Sequence, residues 1–352
     1  MADIAIDTFP KVVIIILNWN NWRDSVACLD SLSRISYTNY EIVLLDNASE
    51  DGSVKHLKDY CECKTTRGTS FAGCWEGSPA IKITTYKAKR NENGKRKMKE
   101  ATSLPETWLT LIENDRNDGF CGGNNLAIAY ALEKLHPQYL LLLNNDTIVD
   151  QRFLEELVIA AESDETIGFA GPTTYYYTGK QTDAIQCAGG VFDLTRGINK
   201  PLTTLKQGVG QRDQIRKVDY VSGVCLLTRK RVIEDIGVLD TRYFAYWEES
   251  DWCFRGHKAG YKSVHVPKSK IWHKMDTSKP NAAYFYYNTR NKFWFIKKNG
   301  TKVQYFTTLL FFFAYDFWFT VAMLVLHHKK GKNEFTSFVK GIIDGITRSS
   351  VA

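Results

Sequence analysis

Two apolar stretches, Lys11–Asn18 (KVVIIILN) and Glu41–Asp46 (EIVLLD), decide the fold class of this 352-residue chain. Consecutive apolar and β-branched residues are typical of strands that are buried on both faces of a parallel sheet. Between these stretches, Asn20–Leu32 carries apolar residues at helical spacing. A strand, a helix and a second strand in this order predict a β-α-β unit and therefore an α/β fold.

The same alternation continues along the chain. Strand character returns in Thr107–Ile112 and Tyr139–Leu143, and helical spacing in Asn125–Lys134. We therefore expect an open, mixed, mostly parallel sheet flanked by helices, with further mixed strands around Val218–Leu227. Ligands of such sheets bind at the carboxyl ends of the strands.

The positive charge of the chain is concentrated in one segment. Residues 64–100 contain ten basic and three acidic residues, a difference that equals the whole net charge of +7. The segment lies in a predicted insertion at about 61–105, and both a surface that attracts anions and a solvated loop fit it. Tyr86 is the lone aromatic between Ala80 and Ser103. Because bases stack on aromatic side chains, nucleic acid is not a predicted partner.

The C-terminal segment Thr307–Leu326 has the length and apolarity of a helix that crosses a bilayer. Asp316 lies near its centre, where a carboxylate costs about 2.5 to 3.5 kcal/mol. A spanning helix and a helix in the membrane plane both remain open, and a buried core helix is the soluble alternative. We predict a catalytic domain at 1–300 and a membrane-associated helical tail at 301–352.

The first ten residues contain no basic run before an apolar stretch, unlike a secretory signal peptide. Eight cysteines in such a chain indicate reduced thiols. The expected location is therefore the cytoplasmic face of the cell membrane.

Acidic residues follow the predicted strands. Asp46 and Asp146 each end a strand, and Glu248, Glu249 and Asp251 begin a helix. Carboxylates are the ligands that Mg²⁺ and Mn²⁺ prefer. Each acid alone fits a helix cap or a dipole contact equally well.

Six motifs occur in a fixed order: IIILNWN (14–20), EIVLLDNASEDGS (41–53), NDGFCGGNN (117–125), LLLNNDT (141–147), WEESDWCFR (247–255) and WH (272–273). In this order they resemble the family 2 glycosyltransferases, and more narrowly their rhamnosyltransferase-like branch. The resemblance covers about residues 10–300. It implies a GT-A fold and an inverting transfer of a sugar from a UDP- or dTDP-sugar to a glycan or lipid-linked acceptor.

The resemblance also implies a role for each motif. The nucleotide is read by Asn18, Asn20 and Asp46, and the helix opening at Gly122, Gly123, Asn124 and Asn125 approaches the donor. Asp146, in the position of the family's D-x-D motif, binds Mg²⁺ or Mn²⁺ together with His273. Glu249 is the expected base, Asp251 is its alternative, and Trp247 and Glu248 contact the acceptor.

Two other functions are considered. A nucleotidyltransferase would need a Gly- and Lys-rich loop after the first strand, where this chain has NWNNW at 18–22. A non-catalytic membrane-bound scaffold would use only the basic insertion and the tail. Metal-dependent turnover of a nucleotide sugar distinguishes the glycosyltransferase from both.

Overall fold

The computed structural model describes residues 9–62, 83–90, 96–102, 108–203, 214–274, 281–327 and 332–348. These residues form fourteen strands, β1 to β14: Val12–Asn18, Tyr40–Asp46, Ile83–Arg90, Arg96–Thr102, Leu109–Asn114, Tyr139–Asn144, Thr147–Val149, Ile167–Tyr177, Gln181–Cys187, Gly190–Asp193, Ile198–Pro201, Arg216–Val218, Cys225–Arg229 and Lys262–His273. They also form ten α-helices, α1 to α10: Trp22–Leu32, Ser53–Cys61, Gly119–Tyr130, Phe153–Glu162, Lys230–Ile236, Glu248–Lys258, Ala282–Asn299, Lys302–Phe311, Phe317–His327 and Lys332–Thr347.

The main sheet has the order β12-β14-β8-β13-β6-β1-β2-β5-β3-β4. Its centre, from β6 to β3, is parallel, and β13 and β4 begin the antiparallel pairings on either side. The predicted mixed, mostly parallel α/β sheet is thus confirmed. The carboxyl ends of β1, β2 and β6 meet at one edge, which positions the polar motifs that follow them.

Helices cover both faces of this sheet. Alternate residues of β1 belong to different cores: Ile14 and Ile16 pack with α1, and Val13 and Ile15 pack with α3. Burial on both faces is the reason the strand reads as a continuous apolar run.

Part of the insertion predicted at about 61–105 belongs to the main sheet. Its described residues include β3 and β4, which extend the sheet beyond β5. β4 reads RKMKEAT and is the last strand of this sheet among the described residues.

Two boundaries also differ from the expectation. The helix expected at Asn125–Lys134 begins at Gly119, and a π-helical turn, Ala131–Leu135, continues it. The run Val218–Leu227 is divided between β12 and β13, and Ser222 and Gly223 lie in the break. Thr107 lies outside the described residues.

The C-terminal helices form a separate cluster. A π-helical turn, Phe312–Asp316, joins α8 and α9 into one long helix. The stretch Lys302–Leu326 is long and apolar enough to cross a membrane, with a mean hydropathy of 2.0 and 11% of its apolar window buried. Its buried side packs with α7 and α10 around Phe285, Phe293, Phe312, Leu324, Phe338 and Ile342.

Candidate active site

Asn18 and Asp46 lie opposite each other at the carboxyl ends of β1 and β2. The Asn18 amide donates to Oδ1 of Asp46 at 2.7 Å, and the Ser49 N–H donates to Oδ2 at 3.0 Å. Both side chains are buried. Asn18 therefore orients the carboxylate predicted to read the nucleoside.

Asn20 lies on the loop beside this pair and has a left-handed backbone with φ of 52°. Its side-chain oxygen accepts from the Glu50 N–H at 2.7 Å, and its own N–H donates to Ser49 at 2.8 Å. Asn20 thus joins the loops that follow β1 and β2. The structure brings it next to Asn18 and Asp46, as the motif series implied.

The glycine-rich motif has a different position from the one expected. Because α3 begins at Gly119, Gly122 and Gly123 lie beyond the N–H groups that a helix start leaves free. A Cβ on Gly123 would lie 2.5 Å from a methyl group of Leu17. Gly123 therefore allows α3 to approach β1. The helix was expected to open at 122–125, and the structure corrects this start to Gly119.

The side chains of Asn124 and Asn125, which follow these glycines, form hydrogen bonds within the protein. The Asn124 amide donates to the Phe120 carbonyl of its own helix at 2.9 Å. Asn125 bridges both backbone groups of Leu239, at 2.7 Å and 3.1 Å. Through Asn125, α3 is joined to the segment that contains Leu239.

Asp146 and His273 are brought together by strand pairing. β7 and β14 are antiparallel, with Thr147 opposite His273. Nε2 of His273 lies 3.0 Å from Oδ1 of Asp146. Oδ1 is buried and forms no hydrogen bond among the described residues. The two atoms are therefore close together without being joined by a hydrogen bond.

The surroundings of this pair fit a divalent cation. Nδ1 of His273 lies 2.9 Å from Oε1 of Gln186. Donation from Nδ1 leaves the Nε2 lone pair facing Asp146, and a histidine fixed by a hydrogen bond from its second nitrogen is the usual arrangement of a metal ligand. Burial raises the pKa of Asp146, but the positive charges of a doubly protonated His273 and of Lys274 outweigh burial, and the net pKa is lowered.

Within the described part of the chain, no group of three or more His, Cys, Asp or Glu side chains surrounds a common point. Two protein ligands fit Mg²⁺ or Mn²⁺, because these ions retain water and bind substrate phosphates. The two residues therefore fit a metal that is shared with a diphosphate.

Asp146 and His273 open into a cavity of about 420 Å³. The same cavity is lined by the first residues of α6, Glu248 and Glu249, and by Trp247 before them. Burial and the neighbouring Glu249 raise the pKa of Glu248 well above its ordinary value, and burial also raises the pKa of Glu249. Oε2 of Glu248 is buried without a partner among the described residues.

Asp251 lies outside this cavity. Its carboxylate is fully buried and binds Nε of Arg255 at 2.9 Å and Nζ of Lys298 at 2.8 Å. Asn299 donates to the same carboxylate at 3.0 Å. Asp251 does not line the cavity, and this location argues against its role as the alternative base. It connects α6 to α7 instead.

The loop before α6 has an unusual backbone that the sequence did not reveal. Phe244, Tyr246 and Trp247 have φ of 66°, 69° and 74°, in the left-handed region that side chains disfavour. The buried Asn291 amide of α7 donates to the carbonyls of Tyr243, Ala245 and Tyr246 at 3.0, 2.8 and 2.8 Å.

A second residue of α7 supports the same loop. Nη2 of Arg290 donates to the carbonyls of Arg242 and Tyr243, each at 2.9 Å. One helical turn away, Asn288 accepts a hydrogen bond from Trp247 at 2.9 Å. The only sequence signal is a set of polar residues in an aromatic helix, AAYFYYNTRNKFWFIKKN.

Comparison with known proteins agrees with this geometry. The model of "Glycosyltransferase like family 2" matches residues 79–293, and that of "Glycosyl transferase family 2" matches residues 13–71. This chain belongs to the family 2 glycosyltransferases. The predicted family and enzyme class are thereby confirmed.

Curated relatives of this glycosyltransferase carry transferase names. The low-salt glycan biosynthesis hexosyltransferase Agl10 of Haloferax volcanii is 25% identical over 223 residues, which cover 61% of this chain and 69% of the relative. The N-acetylglucosaminyl-diphospho-decaprenol L-rhamnosyltransferase of Mycobacterium tuberculosis is 38% identical over 73 residues, 21% of this chain and 24% of the relative. The relatives' names agree with the rhamnosyltransferase-like branch.

Solved structures confirm the GT-A fold of the glycosyltransferase. The mannosyltransferase PcManGT of Pyrobaculum calidifontis, in complex with GDP-Man and Mn²⁺, has a TM-score of 0.54 at 14% identity over 98% of this chain and 90% of its own. GalNAc-T7 with UDP, GalNAc and Mn²⁺ has a TM-score of 0.56 at 16% identity, over 81% of this chain and 48% of its own.

Proposed function

We propose that this glycosyltransferase moves a sugar from a UDP- or dTDP-sugar to a glycan or lipid-linked acceptor, with inversion at the anomeric carbon. One observation carries the proposal: a single cavity is lined by Asp146 and His273 together with the buried Glu248 and the half-buried Glu249. Such a cavity accommodates both partners of a displacement.

The donor end of the site is assigned to the loops after β1 and β2. Asn18 holds the Asp46 carboxylate at 2.7 Å, where it can accept a hydrogen bond from a base N–H or a ribose hydroxyl. Asn20 shapes the adjoining loop. We propose these three residues as the nucleoside site.

Asp146 and His273 are proposed to hold Mg²⁺ or Mn²⁺. The bound ion would neutralise the charge of the departing diphosphate. The buried, unsatisfied Oδ1 of Asp146 and the adjacent Nε2 of His273 support this assignment. The two similar structures contain Mn²⁺, which agrees with a divalent ion.

Glu249 is proposed as the base that takes the proton from the attacking acceptor hydroxyl. A base is most effective when its pKa lies near the working pH, and burial raises the pKa of Glu249 in that direction. Glu248 and Trp247 line the same cavity and are proposed to orient the acceptor. Direct attack on the anomeric carbon displaces the diphosphate from the opposite face, which inverts the configuration.

The long helix is proposed to lie in the plane of a membrane. Phe306, Leu310 and Phe313 are spaced along one face and are 60%, 57% and 46% exposed. The other face packs on α7, whose Arg290 holds the loop before α6, residues 242–247, here called the catalytic loop. A spanning orientation would carry the polar residues of α7, such as Arg290, into hydrocarbon, which is costly.

We propose the cytoplasmic face as the location of this membrane contact. Six described cysteines are free and buried, which suits a reducing compartment.

Release of nucleoside diphosphate from UDP-, dTDP- and GDP-sugars, with Mg²⁺ or Mn²⁺ and with chelator, tests the proposal. We expect metal-dependent release from one donor, at least 100-fold slower in Asp146→Ala and Glu249→Gln. Asn281→Ala, at the start of α7 and away from the cavity, is the matched control. Full activity of Glu249→Gln would exclude Glu249 as the base.

A further inference from the structure

A second cavity, of about 470 Å³, lies between β11, α7, α10 and the long helix. Three of its lining residues, Asn199, Trp247 and Asn288, also line the catalytic cavity. The two cavities are therefore neighbours that share these side chains in their lining. The Trp247 indole, held by Asn288 at 2.9 Å, stands at the boundary.

The lining of this second cavity is polar in one part and apolar in another. Polar side chains near the boundary include Asn199, Asn288 and Thr289, whereas Phe312, Phe319, Met323 and Phe338 form an apolar wall. A site of this kind matches a ligand with a polar end and an apolar chain. The polar end would face the catalytic acids.

The apolar wall leads to the surface. Phe319 lines the cavity and is 70% exposed, and the neighbouring Trp318 is 63% exposed. Both are exposed on α9, the second half of the long helix that is proposed to contact the membrane. A chain in this cavity could thus continue directly into lipid.

Lys292 and Asp316 add a charged pair to this cavity, with 2.6 Å between Nζ and Oδ2. The pair lies where the π-helical turn ends, and the Lys292 ammonium also lies 5.5 Å from the Phe312 ring. The pair thus adds an ammonium to a lining that also contains an apolar wall. A lysine ammonium can bind a phosphate, which here would share it with the Asp316 carboxylate.

We propose that this second cavity binds the apolar chain and phosphate of a lipid-linked acceptor, and directs its sugar past Trp247 to Glu249. This inference rests on the proposed transferase function and names the acceptor class. Three observations support it: the shared boundary residues, the amphipathic walls and the continuity with the exposed face.

The test measures binding of farnesyl phosphate, below its micelle concentration, to the full chain by titration calorimetry. Thr320→Trp and Met323→Trp each place an indole inside the cavity, and Val325→Trp places one on the exposed face of the same helix. We expect 1:1 binding to the wild type and to Val325→Trp, and at least tenfold weaker binding to both cavity variants. Inorganic phosphate should not displace the lipid.

Equal binding by wild type and both cavity variants, no binding by the wild type, or displacement by millimolar inorganic phosphate would each overturn the proposal. Binding of UDP and dTDP is measured on the same samples, and unchanged nucleotide binding shows that the variants are folded. If the wild type bound neither UDP nor dTDP, the proposed function would be refuted instead. Failure of the lipid site and failure of the proposed function therefore give different results.

Discussion

The Asn291→Ala variant tests whether α7 positions the catalytic loop. The Asn291 amide donates to three carbonyls of the loop, and those of Ala245 and Tyr246 have no other donor shown among the described residues. Leaving a buried acceptor unsatisfied costs about 1 to 3 kcal/mol. For two carbonyls, the total is about 2 to 6 kcal/mol, and the lower end applies here because both hydrogen bonds are only partly buried.

Backbone strain in the loop opposes the stabilisation that the Asn291 hydrogen bonds provide. Three residues in the left-handed region, Phe244, Tyr246 and Trp247, cost about 1 to 3 kcal/mol each. The strain is thus at least as large as the stabilisation from Asn291, so the loop should relax when the amide is removed. Trp247 and the adjoining Glu249 would then move.

Displacement of a reacting group by about 1 Å can cost about 100-fold in rate. We therefore expect kcat of Asn291→Ala to fall about 100-fold, with the donor KM and the affinity for UDP or dTDP changed less than threefold. The nucleoside site on β1 and β2 is formed by other parts of the chain, which explains the difference.

Asn281→Ala on the same helix is the matched control. The Asn281 side chain caps α7 by accepting from the Tyr284 N–H at 2.9 Å, and loss of a cap costs about 1 kcal/mol. It should lower stability with little change in kcat. If Asn291→Ala lost stability and kept kcat within threefold of this control, the positioning role would be refuted.

Three further predictions concern other parts of the chain. The folded state raises the pKa of Glu248 above its ordinary 4.5, so wild-type stability should fall as pH rises from about 4.5 towards the folded pKa. In urea titrations at pH 5 and 8, Glu248→Gln should show a smaller fall, which comes from the raised pKa of Glu249. Asp251→Asn should lose about 3 kcal/mol in urea unfolding, because Arg255 loses its buried partner whereas Lys298 keeps Asp240 at 2.9 Å. Replacing both Phe306 and Leu310 by Lys should abolish co-sedimentation with zwitterionic vesicles, which do not attract the added lysines, at unchanged donor turnover.

Each of these has a result that contradicts it. Parallel pH profiles of wild type and Glu248→Gln would mean that this carboxyl keeps an ordinary pKa. A loss below 1 kcal/mol would show that Asp251 is not the connector between α6 and α7. Vesicle binding by the double lysine variant, equal to that of an Ile159→Lys control on α4, would move the membrane contact elsewhere.

The parallel core was predictable because its signals are local. The apolar runs of β1 and β2 and the spacing in α1 reflect burial of consecutive residues, and the structure has all three elements. The resemblance also placed Asp146 beside His273, although no local periodicity connects residues so distant in the chain.

Features that depend on distant contacts could not be predicted. β3 and β4 are basic strands whose pairing, not their hydropathy, assigns them to the sheet. Asp251 resembles a catalytic acid in sequence, and only the approach of Lys298 from α7 shows that it is a connector. The same holds for Gln186 and Asn291, single polar residues whose partners lie far along the chain.

The pairing of β7 with β14 has a consequence for synthesis. The nucleoside loops are complete within the first third of the chain, but His273 and Glu249 are supplied much later. A nascent chain, which is made from its N-terminus, therefore contains the proposed nucleoside site before it contains the proposed metal ligand His273 and the proposed base Glu249. On this proposal, sugar transfer begins only when β14, the last strand among the described residues, is in place.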